Sequence, residues 1–132
     1  MQGLPTVRSL MDKSFVKLKP EMTIRKAIGI LLENRITGAA VVDDQGKLVG
    51  LLSEKDCLKP LMNSAYDHMP SGVVSEFMTK EVFTVRPEMD IFELAQCFLD
   101  RVNRRFPVVE NGELIGQVTR FDMLRALQKY WA

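Results

Sequence analysis

The chain has 132 residues, 46% of them apolar and 27% charged, which suits one compact domain or two very small ones and argues against disorder. Its 18 Lys and Arg against 17 Asp and Glu leave a formal charge of +1, too little for sequence-blind binding to nucleic acid or anionic lipid. Cys57 and Cys97 lie far apart with no Cys-x-x-Cys spacing, and His68 is the one histidine, so neither a zinc ribbon, a disulfide framework nor a His-rich metal site is expected. The opening Met1-Gln-Gly-Leu-Pro-Thr-Val-Arg carries no apolar signal-peptide core, and Gln2 stands where myristoylation needs glycine. The longest apolar runs, such as Ala27 to Leu32 and Leu48 to Leu52, fall far short of the roughly 20 residues that span a bilayer. The expectation is a soluble protein of a reducing compartment, most simply cytoplasmic.

In chain order the sequence says everything twice. Met11-Asp-Lys-Ser-Phe-Val-Lys-Leu-Lys-Pro-Glu-Met-Thr-Ile24 aligns with Met78-Thr-Lys-Glu-Val-Phe-Thr-Val-Arg-Pro-Glu-Met-Asp-Ile91 at a constant offset of 67. The offset holds through Val41-Val42 and Val108-Val109, and one residue is lost in the turn that follows. Beyond it, Gly46-Lys-Leu-Val-Gly50 matches Gly112-Glu-Leu-Ile-Gly116, and Ser53-Glu-Lys-Asp56 matches Thr119-Arg-Phe-Asp122. Four blocks in one order mark an internal repeat.

Each copy opens with a short apolar strand, Phe15 to Leu18 or Val82 to Val85. A helix follows whose apolar residues recur at i, i+3, i+4, i+7 and i+8: Ile24, Ala27, Ile28, Leu31 and Leu32, then Ile91, Leu94, Ala95, Phe98 and Leu99. Thr23 and Asp90 occupy the N-cap positions, and Asp90 with Glu93 forms a capping-box pattern. A hairpin comes next, Ala39 to Asp43 with Lys47 to Ser53, and Phe106 to Glu110 with Glu113 to Thr119. Asn111-Gly112 is the turn signal of the second. Closing helices run from about Glu54 to Met62, with Pro60 expected to end or bend the first early, and from Arg120 to about Tyr130. The spacing therefore predicts an α+β fold of two strand-helix-strand-strand-helix repeats, 7–61 and 74–128, with residues 62–73 as connector. Such small three-stranded units each leave one sheet face bare, so the two are expected to pack sheet to sheet about a pseudo-two-fold axis. The methionines are expected to fill the core, His68 to be solvated, and Tyr130 and Trp131 to pack on a neighbouring helix.

The pattern Gly-x-apolar-[Ser/Thr]-x-x-Asp occurs as Gly50-Leu-Leu-Ser-Glu-Lys-Asp56 and Gly116-Gln-Val-Thr-Arg-Phe-Asp122. It reads first as a helix start, with Ser53 or Thr119 as N-cap. The same geometry places a carboxylate beside free N–H groups, where it can accept hydrogen bonds from a cis-diol such as ribose, with a phosphate favoured nearby.

The doubled unit, with its Pro-Glu-Met, its Val-Val strand and this ending, resembles a pair of cystathionine-β-synthase (CBS) domains, a Bateman module, from about Val7 to Leu127. The resemblance implies a ligand cleft between the copies for an adenosine derivative: AMP, ADP, ATP or S-adenosylmethionine. It implies that Asp56 with Ser53, and Asp122 with Thr119, hold ribose hydroxyls. The base is then held by the first strand and hairpin start of the opposite copy, represented by Val82, Phe83, Phe106 and Pro107 or by Gly38, Ala39 and Ala40. Arg104-Arg105 resembles the family's basic pair that reaches phosphates, although two solvated loop arginines read equally well. Thr37-Gly38-Ala39-Ala40 supplies no cation, so the cleft of Asp122 is expected to be the less basic one. Lys55, Arg120 and Phe121 are secondary contacts on this reading. The functional expectation is a non-enzymatic adenine-nucleotide sensor, a homodimer joined through helical faces into a flat four-repeat disc, which regulates a separate protein without metal or cofactor. The rival is a constitutive dimerisation module with a vestigial cleft. An enzyme is disfavoured, since no GxxxxGK[ST] loop or recurring nucleophile–base constellation is present.

Overall fold

The computed structural model describes residues 3–63 and 71–131. The expectations for His68, for most of the connector and for the Trp131 side chain lie outside what is described. The chain divides into two compact units, one of residues 16–82 and the other of residues 83–132 together with 1–15. We call these the first-repeat and second-repeat units.

In the first-repeat unit, β1 (Lys17–Leu18) leads to α2 (Ile24–Asn34), then to the hairpin of β2 (Gly38–Val42) and β3 (Leu48–Ser53). Strand β1 pairs with β2 in parallel and β2 with β3 antiparallel. A 3-10 turn at Asp56–Leu58 precedes α3 (Lys59–Asn63). Pro60 stands where the 3-10 turn gives way to α3. It falls in the first turn of α3, where a missing N–H costs nothing. In the second-repeat unit, α5 (Ile91–Asp100) precedes the hairpin of β4 (Arg105–Glu110) and β5 (Glu113–Thr119), and α6 (Arg120–Trp131) closes it. The expected strand over Val82 to Val85 is reduced to a single parallel bridge, Val85 to Val108. Its two hydrogen bonds run from Val85 N–H to the Pro107 carbonyl and from Val109 N–H to the Val85 carbonyl, and Pro87, two residues on, has no N–H to extend the ladder.

Local chemistry explains the joints. Thr23 accepts from Lys26 N–H, and Asp90 exchanges hydrogen bonds with Glu93 as a capping box. Asn111 and Gly112, at φ 53° and 82°, form the left-handed pair that a tight hairpin needs. In the first copy the turn is one residue longer and Asp43 organises it, its carboxylate accepting from the N–H groups of Gln45 and Lys47. Both hairpins slip register at equivalent points, between Val41 and Val42 and between Val108 and Val109.

The two units exchange their opening segments. Helix α1 (Val7–Leu10) heads the first repeat in sequence but folds with the second: Val7 N–H donates to the Met89 carbonyl, Arg8 N–H to Pro87, and Asp12 pairs with Gln117. Helix α4 (Val74–Phe77) mirrors this on the first-repeat unit, through Val74 to Met22, Ser75 to Pro20, and Thr79 with Leu51. Val7 and Val74 are both fully buried. The glycines of the motif serve these segments. A Cβ on Gly116 would lie 2.7 Å from the Met11 sulfur, and one on Gly50 would lie 2.6 Å from that of Met78.

Each unit has its own core. Leu18, Ile24, Ala27, Leu31, Val41, Leu52, Val74 and Phe77 belong to one, and Val7, Leu94, Phe98, Phe106, Val108 and Val118 to the other. Met11, Met22, Met78, Met89 and Met123 pack in or against these cores as expected, whereas Met62 is exposed. Leu32 and Leu99, expected on the buried helix faces, are 72% and 80% exposed. At i+8 the 100° step has carried them to the edge of the stripe. Phe92, Leu124 and Tyr130 are exposed as well, so Tyr130 does not bury its ring on a neighbouring helix. Among the described residues no helix is long and apolar enough to cross a membrane.

Candidate functional site

The Gly-x-apolar-[Ser/Thr]-x-x-Asp motif folds as a reciprocal cap in both units. Ser53 N–H donates to Asp56 Oδ2 at 3.0 Å while Asp56 N–H donates to Ser53 Oγ at 3.1 Å. Thr119 and Asp122 repeat the exchange at 2.7 and 3.2 Å, and the Thr119 hydroxyl also reaches Asp122. The carboxylates are only 5% and 7% exposed, so their charges need partners. Lys59 and Arg125, each three residues on, supply them as ion pairs. Asp56 has a further donor in the Thr79 hydroxyl, 3.3 Å from Oδ2, on the segment that follows α4. Asp12 stands at the equivalent place in the other copy and cannot donate. Burial alone would raise the Asp56 pKa, but the Lys59 ammonium and the Ser53 N–H and hydroxyl outweigh it and hold the group below its ordinary value. The Cys57 thiol beside it is pushed up by burial and then by the Asp56 charge.

The hairpin registers decide what lies beside each cap. Gly38 pairs with Ser53 and Arg105 with Thr119. In the second-repeat unit a recess of about 320 Å³ is lined by Arg104, Arg105, Thr119, Arg120 and Phe121. Three arginines thus gather beside Thr119 within their own unit, because antiparallel pairing folds the hairpin start back onto the start of α6. Arg105 is half-buried, and burial followed by the Arg104 charge lowers its pKa. Lys55 is exposed at the start of the other closing helix.

The apolar residues expected around a base divide differently. Phe106 is fully buried, its ring 4.5 Å from that of Phe98 and 5.3 Å from that of Phe83, so it is a core residue with only backbone to offer. Pro107 is buried and its carbonyl is taken by Val85. Ala39 and Ala40 are buried likewise, and Gly38 lies in β2 with little surface. Val82 ends the first-repeat unit and Phe83 begins the remainder of the other, and both keep partial exposure. Sequence reasoning missed Arg101, whose guanidinium sits 3.6 Å above the Phe83 ring, a contact across 18 residues of chain that no local pattern signals. It also missed Lys59, Thr79 and Arg125; the i,i+3 spacing of Asp56 with Lys59 and of Asp122 with Arg125 was the available sign.

The CBS-domain family profile matches residues 7–63 and 74–129. Protein MJ1225 of Methanocaldococcus jannaschii is 29% identical over 96% of this chain, and the chloroplastic CBS domain-containing protein CBSX1 of Arabidopsis thaliana is 31% identical over 94%. The chain spans 44% and 64% of the lengths of these two relatives. Among solved structures, Arabidopsis CBSX2 in complex with AMP is similar at a TM-score of 0.83 and 30% identity, over 96% of this chain and 98% of that one.

Proposed function

Given that the chain belongs to the CBS-domain family as a tandem pair, we propose that it is a non-catalytic regulatory module that binds an adenosine nucleotide and signals to a separate protein. The observation that carries this reading is the pair of buried carboxylates, Asp56 and Asp122, each anchored at a helix start beside a hydroxyl. A diol can take up their remaining acceptor capacity. The AMP-bound relative supports the ligand class. On this reading Asp56, Ser53, Asp122 and Thr119 serve ribose. Val82, Phe83, Gly38, Ala39 and Ala40, with the backbone of Phe106 and Pro107, border the base, and Arg104 and Arg105 meet phosphate. We further propose a cytoplasmic homodimer joined through the helical faces, where Phe92, Leu99, Leu124 and Tyr130 are exposed.

Calorimetry and thermal shift with AMP, ADP, ATP, adenosine and S-adenosylmethionine test the reading. A ligand at about 100 times its Kd adds roughly 2.7 kcal/mol of stability. No shift with any of them at millimolar concentration sinks it, and phosphate release in proportion to protein would show an enzyme instead. One observation favours the rival of a dimerisation module: Lys59 and Arg125 already neutralise both carboxylates, so neither needs a ligand to be satisfied.

A further inference from the structure

Two cavities lie along the seam between α5 and α6. One, of about 720 Å³, is walled by Phe98 and Leu99 of α5 and by Met123 and Leu124 of α6. The other, of about 140 Å³, lies between Ile91 and Phe92 of α5 and Leu127 and Tyr130 of α6. Ala95 and Met123 line both, so the cavities meet end to end. The late residues of α5 thus stand beside the early residues of α6, and the two ends of the seam differ chemically. Arg101, Arg104 and Arg120 line the large cavity, whereas the walls of the small one are apolar throughout. From this arrangement we propose that the seam binds a single-chain amphiphilic anion, a carboxylate with an unbranched apolar tail, as a ligand separate from any nucleotide.

The charges favour it. No acidic side chain lines either cavity. The acids of α5 have partners of their own, since Asp100 accepts from Gln96 and Glu93 from the Asp90 N–H. Among the described residues Arg104 and Arg120 take part in no ion pair. Arg101 is stacked on Phe83 and keeps its charge there. Three guanidiniums at one end of an apolar groove attract a carboxylate to that end. Each methylene laid along the rest of the seam leaves water. The rise of about 1.5 Å per helical residue puts Ile91 about 12 Å from Leu99. Tetrahedral C–C bonds advance about 1.25 Å each, so a tail of about ten carbons spans that length. The larger cavity also falls in the range of roughly 300–1,000 Å³ usual for small-molecule sites.

Neither end of the seam is a requirement of the fold. In the first copy Asn34, Thr37 and Glu54 stand at the positions of Arg101, Arg104 and Arg120, and Arg25 at that of Phe92. Phe92, Leu99, Leu124 and Tyr130 are also the exposed side chains of the proposed dimer. A bound acyl chain and a second copy therefore exclude each other on this face.

Calorimetry on the full chain at low-micromolar concentration tests the proposal. Decanoate is compared with hexanoate for the tail, and with decanol and decyltrimethylammonium for the head, all below their micellar range. Decanoate should bind at least about tenfold more tightly than hexanoate, which has four methylenes fewer, and than decanol, which has no charge. The cationic amphiphile should not bind. Arg120→Gln, at an exposed helix start, should weaken decanoate about tenfold and leave decanol binding and the melting temperature unchanged. Light scattering at tens of micromolar should show decanoate reducing any dimer to one chain. Equal affinity for decanoate and decanol, or for decanoate and hexanoate, overturns the proposal. So does an equal effect of Arg120→Gln on both head groups, or a dimer that persists with decanoate bound. Absence of decanoate binding overturns it too, and if the chain then stays dimeric on dilution, the seam belongs to a second copy.

Discussion

The Lys59 ammonium lies 2.7 Å from Asp56 Oδ1 and also donates to the Phe77 carbonyl at 3.2 Å. One side chain thus ties the motif carboxylate to the last residue of α4, and Thr79 closes the same knot from two residues further on. In the first-repeat unit, any ligand that competes for Asp56 also competes with the attachment of the segment leading out of the unit.

The ionisation of Asp56 should therefore be visible in stability. Its folded pKa lies below the unfolded value, so its contribution is fully present above about pH 4 and is lost as pH falls through the folded value. Acid melts of the parent and of Asp56→Asn should converge below that range and diverge above it. Parallel curves across pH 2–6 would show that the carboxylate has no preferential folded-state partner.

Phe106 distinguishes core from ligand contact. With its side chain fully buried against Phe83 and Phe98, Phe106→Ala should cost about 3–5 kcal/mol. Urea denaturation measures this, and a loss under 1 kcal/mol would return the ring to the ligand side.

Segment exchange gives a crossed pattern of damage. Val7→Asp puts a charge into the core of the second-repeat unit and Val74→Asp into that of the first, each costing roughly 3 kcal/mol or more. Hydrogen exchange should show Val7→Asp loosening residues 85–126 and Val74→Asp loosening residues 18–52. Loosening confined to the repeat that contains the mutation in sequence would refute the exchange.

The proposed dimer depends on exposed apolar side chains of α5 and α6. Leu99→Glu and Phe92→Glu should each reduce the light-scattering mass at tens of micromolar from two chains to one without lowering the melting temperature by more than that dissociation implies. A parent chain that is already monomeric there removes the proposal.

Much of this was legible in the residues because the chain repeats itself: the offset located both helices, both hairpins and both caps, and Asn111-Gly112 fixed one turn outright. The arginine recess was not legible. Counting back from Asn111-Gly112 in a regular hairpin sets Arg105 opposite Val118, one residue from its true partner Thr119. The register slip between Val108 and Val109 makes the difference, and a slip of one residue exchanges the faces of a strand. Gly116, just beyond the slip, was its only sequence trace. The segment exchange was hidden for another reason: similarity between Val7 and Val74 says that they do the same job, not for which copy.

That exchange also sets an order of events during synthesis. Residues 16–82 form a continuous stretch whose bridges, Thr23 with Val73 and Leu51 with Thr79, can close once Thr79 has been made, so this unit can acquire its core while the rest is still being translated. Val7 and Asp12 have no such neighbours. They wait for Met89 and Gln117, and closing so long a loop makes the second-repeat unit the slower to mature. Until then Val7 and Leu10 lack their apolar cover, and a ribosome pausing between the two repeats would hold the chain in that half-finished state.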